Sequence, residues 1–172
     1  MIWSAHPWLA ELKENAQSID AAIAVLRDDK DAADFKLFFR IEKALLLSAF
    51  TIRKLHENGA LSSHADNPLV SVTFHPVRGD KNLLRQLIIR HGSIMPHLVC
   101  DMSASSHKKI EVRQACNYII HSNMVAYTNE NKNDVYSFWI LQGQRMNNFV
   151  EIEFDTWISL IRYVPDLLKH TE

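Results

Sequence analysis

From Asp34 to Asn58 the chain contains neither proline nor glycine, and the seven residues at the middle of that run, ALLLSAF (44–50), carry no charge. Phe38, Ile41, Leu45, Ser48, Ala49, Ile52 and Leu55 recur every three to four residues, the spacing of one helical face. Asp31 or Asp34 can cap the free amides at the start, and Asn58-Gly59 supplies the stop. A helix that is apolar on every side has to be enclosed by other elements. The spacing therefore predicts a central helix over about 34–58 with further helices packed around it.

Those neighbours are visible on either side. After Pro7, the residues Leu9, Leu12, Ala16, Ile19, Ile23 and Leu26 mark a helix over about 8–27, ended by DDKD. A polar connector leads into LVSVTFHPVRG, where Val70, Val72 and Phe74 alternate with smaller or polar residues as in a short strand. KNLLRQLIIRH (81–91) has the pattern of a short helix, cut off by Gly92 and Pro96, while 92–105 favours no element. Ser105 or Ser106 resembles the cap of a helix over about 106–122. MVAYT, DVYSFWIL and NFVEIEF, separated by turn-forming residues, suggest an antiparallel β-meander over about 124–154. Asp155 can cap a final helix over about 155–164, stopped by Pro165. The expected fold is α+β, mainly α: one domain over 1–172, an antiparallel helical bundle with a small C-terminal antiparallel β-meander and a last helix.

With 172 residues, 47% of them apolar, such a domain can bury a continuous core without metals or disulfides. The two cysteines, Cys100 and Cys116, do not indicate a disulfide framework. The first residues lack a basic start followed by an apolar stretch, and no apolar run reaches the ~18 residues needed to span a bilayer. A cytoplasmic protein without membrane partners is the expectation. The formal net charge of -1 excludes a global positive field that would draw the chain onto polyanions. Charge is concentrated instead, because residues 76–121 hold 7 basic and 3 acidic groups.

At about 100 degrees per residue, placing Arg113 at zero puts Asn117 near 40, His121 near 80, Gln114 near 100 and Tyr118 near 140. Val112, Ala115, Cys116, Ile119 and Ile120 occupy the opposite side, a complete apolar stripe. A guanidinium, a carboxamide and an imidazole on successive turns of one helix suit a phosphodiester. Arginine matches phosphate in charge and shape, asparagine can orient it, and histidine exchanges protons near neutral pH. Arg113, Asn117 and His121 are the candidate catalytic residues, with Arg53, Lys109, Gln114 and Tyr118 as candidate substrate contacts.

The segment CNYIIHS resembles the motif of the HEPN superfamily (higher eukaryotes and prokaryotes nucleotide-binding), in which an Arg-Asn pair precedes an aliphatic pair and a histidine. Asn117, Ile119, Ile120 and His121 match it. FRIEKALLLSAFTIRKLHENGALS likewise resembles the long central helix of HEPN-like bacterial proteins. The resemblance covers about a third of the chain and implies a helical bundle, a homodimer that brings two motif helices together, and metal-independent endoribonuclease or RNA-binding activity. It also implies a place in toxin-antitoxin or phage-defence systems, with an antitoxin or other protein as partner and no cofactor. The family's arginine stands four to six residues before the histidine, whereas seven residues separate Arg113 from His121 and Cys116 occupies the expected position. Arg113, one turn further back, and Arg53 of the central helix are the alternatives. The competing reading is a non-catalytic dimeric scaffold whose meander presents a partner-binding edge.

Other chemistry finds less support. His91, His97 and Cys100 fall within ten residues but show no standard ligand spacing, so no metal site is expected. Glu151 and Glu153 share one face of a strand, where solvent exposure accounts for them. Four glycines leave little material for a phosphate loop or nucleophile elbow. Trp3, Trp8, Trp139 and Trp157, with Phe35, Phe38, Phe39 and Phe50, are assigned to core packing or, for some, to a dimer interface.

Overall fold

The computed structural model describes residues 6–28, 35–61, 68–78, 99–128, 136–142 and 147–169. The elements are α1 (His6–Asp28), α2 (Phe35–Glu57), β1 (Leu69–Pro76), a 3-10 turn (Met102–Ala104), β2 (Ser106–Glu111), α3 (Val112–Ile120), β3 (Ser122–Thr128), β4 (Ser137–Gln142), β5 (Asn148–Glu153) and α4 (Phe154–Lys169). The fold is α+β. The helix expected over 81–91 lies outside the described residues.

α1 and α2 form where the apolar periodicity places them. α1 buries Leu12, Ala16, Ile19, Ile23 and Leu26, and α2 buries Ile41, Leu45, Ser48, Ala49, Ile52 and Leu55. α2 ends as its sequence dictates: Gly59 adopts φ 77, where a Cβ would clash. The Gly59 and Ala60 amides donate back to the carbonyls of His56 and Leu55, satisfying the last turn. α2 is not enclosed on every side, however. Leu46 and Phe50 are exposed, as are Phe35 and Phe39, while Phe38 stacks on Tyr127. Packing against α1 and α3 covers part of its circumference and leaves one flank open.

The sheet is larger than a meander. Its five antiparallel strands run β2-β1-β5-β4-β3, so the meander β3-β4-β5 is extended through β5 by β1 and β2. This overturns the helix expected over 106–122. Residues 106–111 pair with 69–74 as an edge strand, and the helix begins only at Val112. His107, Lys108 and Lys109 are exposed there, and lysine on an edge strand discourages pairing with a further chain. Ser105 and Ser106 accordingly do not cap a helix; Glu111 holds the cap position and its side chain makes no capping bond.

β2 and β3 are opposite edges of the sheet, and α3 connects them directly. Nine residues of helix rise ~14 Å, about three inter-strand spacings, and the helix contacts β1, β2, β3 and β4. α3 is therefore stretched across the sheet beneath α2. Val112, Ala115, Cys116 and Ile119 are fully buried along it, and the Val112 amide donates to the Pro68 carbonyl at the start of β1.

One face of the sheet, with Val70, Val72, Ile110, Phe138, Ile140, Val150 and Ile152, joins the helices in the main core. Two buried polar bonds tie that core together: Trp157 Nε1 of α4 donates to Ser48 Oγ of α2 at 3.0 Å, and Tyr136 Oη donates to the Leu26 carbonyl at 2.7 Å. Pro165 does not stop α4, which continues to Lys169. Proline costs the helix one amide bond, but Leu167 and Leu168 beyond it pack on the core and hold the last turn. The opposite face carries a small second core of Val99, Cys100, Ala126, Trp139, Leu141 and Phe149.

Candidate functional site

α3 ends at His121, whose amide donates to the Asn117 carbonyl and whose side chain is exposed. Its imidazole meets Arg53 of α2, with Nη1 lying 3.3 Å from Nε2. A guanidinium has only donors, so this contact is a hydrogen bond when Nε2 bears no proton, the form able to accept one. Arg53 is oriented from below by Glu57, one turn on, through Nε to Oε1 at 2.8 Å, and Lys54 Nζ reaches the other carboxylate oxygen at 2.9 Å. Hydrogen bonds from Lys54 and then Arg53 hold the Glu57 carboxyl below its ordinary range.

The rest of the expected row divides. Asn117 is half-buried, and its buried Oδ1 has no hydrogen-bond partner among the described residues. Such an atom is uncommon in native structures, because lost hydration is normally replaced. Arg113 is exposed and is not joined to His121 by any hydrogen bond among the described residues. Gln114 Nε2 donates to Tyr118 Oη at 2.6 Å, and the Tyr118 ring meets Phe74 edge-on, so that pair engages the sheet. Lys109 is a correction: it belongs to β2, not to the helix it was expected to join, and lines the cleft on the other face of the sheet.

Cys116 is fully buried in the core between α3 and its neighbours. Burial pushes its thiol up to about 12, against the opposing influence of the Arg53 charge. The residue at the place where the HEPN pattern has arginine thus faces inward here. The guanidinium that approaches His121 comes from a different helix.

The sheet face turned away from the helices holds a second polar cluster. There the strand alternation of β1 and β2 aligns Ser71, Thr73 and His75 with His107 and Lys109, and β5 adds Glu151 and Glu153. They line an open cleft of about 560 Å³ together with Ser105 and Trp139. His75 is 3% exposed and stacks on the Trp139 indole at 4.1 Å between ring centres. Its Nε2 lies 2.9 Å from Glu151 Oε2 and its Nδ1 lies 2.7 Å from Ser105 Oγ. Ser137 Oγ donates to Glu151 Oε1 at 2.6 Å, and Trp139 Nε1 donates to Ser137 Oγ at 3.2 Å.

Glu151 is therefore not the solvated strand residue expected. Burial raises its carboxyl, but the hydrogen bonds from His75 and Ser137 outweigh burial and leave it below the ordinary range. The sequence signal that could have found this cluster is the strand period: His75, Glu151 and Trp139 fall on one face once the register is known. His91 and His97 lie outside the described residues, and Cys100 is buried in the second core. Among the described residues no three His, Cys, Asp or Glu side chains converge as metal ligands, and no helix is long and apolar enough to cross a membrane. Comparisons with protein-family models, with curated proteins and with solved structures gave no match to the chain.

Proposed function

We propose that this is a HEPN-like protein that binds RNA and cleaves it without a metal ion, using Arg53 and His121 as its reacting pair. The observation that carries this reading is the 3.3 Å approach of Arg53 Nη1 to His121 Nε2 across two helices, on an exposed surface. A phosphate bound bidentately by Arg53 competes for the N–H groups that His121 now shares. Nε2 is then free to take the proton of an RNA 2'-hydroxyl. The 2'-oxygen attacks phosphorus, the bond to the 5'-oxygen breaks, and that oxygen leaves with a proton from solvent. The products are a 2',3'-cyclic phosphate and a 5'-hydroxyl. Asn117, half-buried on the same side of α3, is assigned to orienting a substrate hydroxyl or amino group, and Arg113 to a neighbouring phosphate.

A homodimer and an antitoxin-type or other protein partner belong to the same proposal. Phe35, Phe39, Leu46 and Phe50 are 84%, 57%, 36% and 43% exposed, and at ~100° per residue they fall within ~60° of one another. Arg53 continues that line towards His121. An apolar stripe of this kind is commonly covered by a partner, here a second copy of the chain. The scaffold reading uses the same stripe without the chemistry.

The two readings separate on one assay. The purified protein is incubated with mixed RNA in chelator, and the ends of the products are analysed. Cyclic phosphate ends that vanish in both His121→Ala and Arg53→Ala are expected. Intact RNA at high protein concentration, or cleavage unchanged by both substitutions, overturns the catalytic reading and leaves the scaffold.

A further inference from the structure

The polar cluster on the far face of the sheet has a direction. Glu151 is an acceptor when ionised, so His75 Nε2 donates to it at 2.9 Å and Ser137 donates to its other oxygen at 2.6 Å. With its proton on Nε2, the His75 imidazole turns a bare Nδ1 towards Ser105 Oγ at 2.7 Å. The Ser105 hydroxyl proton is consequently drawn onto that nitrogen. Its other acceptor, the Asp101 carbonyl, is at 3.5 Å and competes weakly. The Ser105–His75–Glu151 hydrogen bonds thus point from the serine towards one half-buried carboxylate.

The surroundings hold this arrangement in place. Stacking on Trp139 fixes the plane of the imidazole. The segment that carries Ser105 is pinned to the end of β1: Asp101 N donates to the Pro76 carbonyl at 2.8 Å, Arg78 N to the Val99 carbonyl at 2.7 Å, and Arg78 Nη2 to Asp101 Oδ1 at 2.7 Å. Asp101 also accepts from the Ser103 hydroxyl and amide. That bond, with Arg78 second, holds its carboxyl down to about 2. Ser105 therefore meets the cleft on a braced backbone, and among the described residues no group donates to its hydroxyl oxygen apart from the His75 contact.

We propose that Ser105, His75 and Glu151 form a second active centre, in which a serine nucleophile, its general base and an orienting carboxylate hydrolyse small carboxylic esters. Ser105 Oγ attacks the ester carbonyl carbon while its proton passes to His75 Nδ1. The bond to the alkoxy oxygen breaks, and that oxygen leaves as an alcohol with the proton from His75. Water then attacks the acyl-serine, gives a proton to Nδ1, and the carboxylic acid departs as Ser105 regains its hydrogen. The division of labour is that of any nucleophile activated by a base which a third group orients. Lys109 and His107 line the β2 side of the cleft and Glu153 the β5 side. This asymmetry selects an ester with an anionic group lying over β2.

Treating the full chain with a fluorophosphonate probe at pH 8, followed by peptide mass analysis, tests the assignment. A single adduct on Ser105 is expected, absent in Ser105→Ala and slowed by about a hundredfold in His75→Gln, the loss typical of a missing general base. Ester turnover should disappear in Ser105→Ala and persist in His121→Ala, which separates this centre from the RNA-cleaving one. With hemisuccinate and acetate esters of 4-nitrophenol, Lys109→Ala should raise KM for the first and spare the second. No adduct on folded wild-type protein, or labelling of Ser105 that His75→Gln leaves unchanged, overturns the proposal. The wild-type result decides this even where a variant fails to fold.

Discussion

Arg53 of α2 and His121 at the C-terminal cap of α3 are 68 positions apart, yet their side chains meet at 3.3 Å. Arg53→Lys keeps the charge but loses the planar fork that binds phosphate through two parallel bonds. RNA cleavage should fall in Arg53→Lys nearly as far as in Arg53→Ala, with circular dichroism unchanged. Full activity in the lysine variant, measured by gel assay, would show that only charge is needed.

His121→Ala should lower cleavage by about 10²–10⁴-fold, the usual contribution of general acid–base catalysis. Its side chain is exposed, so the melting temperature should stay within a few degrees of wild type. A large drop in thermal stability would instead assign His121 a structural role.

Placing arginine at position 116, to match the spacing of the HEPN pattern, should not improve activity. Cys116 is fully buried, and an unpaired charge there costs about 3–5 kcal/mol. Cys116→Arg should unfold at markedly lower denaturant. With its thiol pushed up to about 12, wild-type Cys116 should resist alkylation at pH 8 until the protein is denatured, since only the thiolate reacts.

The buried Trp157–Ser48 bond joins α4 to α2. Ser48→Ala leaves the indole N–H without its partner, at a cost of about 1–3 kcal/mol. Chemical denaturation followed by tryptophan fluorescence should show the shift; an unchanged midpoint would mean that the bond contributes nothing net.

Stability should fall in acid partly through Glu151. Its carboxyl is lower in the folded chain than its ordinary 4.5, so the folded state binds its proton more weakly than the unfolded state. The resulting stabilisation is complete above the unfolded value and is lost as pH falls through the folded one. Glu151→Gln should remove this component, giving a flatter stability profile below about pH 5. A profile parallel to wild type would exclude Glu151 as a source of the acid sensitivity.

The dimer proposed on the α2 stripe has a direct check. Phe39→Gln with Phe50→Gln should shift the sedimentation coefficient from that of a dimer to that of a monomer, with helix content kept. A wild-type monomer at high concentration would remove the self-association proposed for this face.

What the amino-acid sequence determined by itself was local and periodic. The recurrence of Leu12, Ala16, Ile19 and Ile23, or of Ile41, Leu45, Ile52 and Leu55, places α1 and α2, because a 3.6-residue repeat is a property of neighbours along the chain. The Asn58-Gly59 stop is legible for the same reason, and so is the apolar stripe of Val112, Ala115, Cys116 and Ile119. Residues 106–111 are not legible as a strand, because SHKKIE has no pattern that excludes a helix. It becomes a strand only when 69–74 offers it an edge.

Only the tertiary structure decided which residues face one another. Arg113 lies in α3 and His121 caps its end, but Arg53 reaches the imidazole, since packing of α2 on α3 lays its guanidinium there. His75, Ser105 and Glu151 lie far apart in sequence and converge only through the strand order β2-β1-β5 and the pinning of 99–105 to the end of β1. Register between distant strands and the crossing of distant helices are set by burying apolar surface jointly. That free energy belongs to pairs of segments, and neither segment displays it alone.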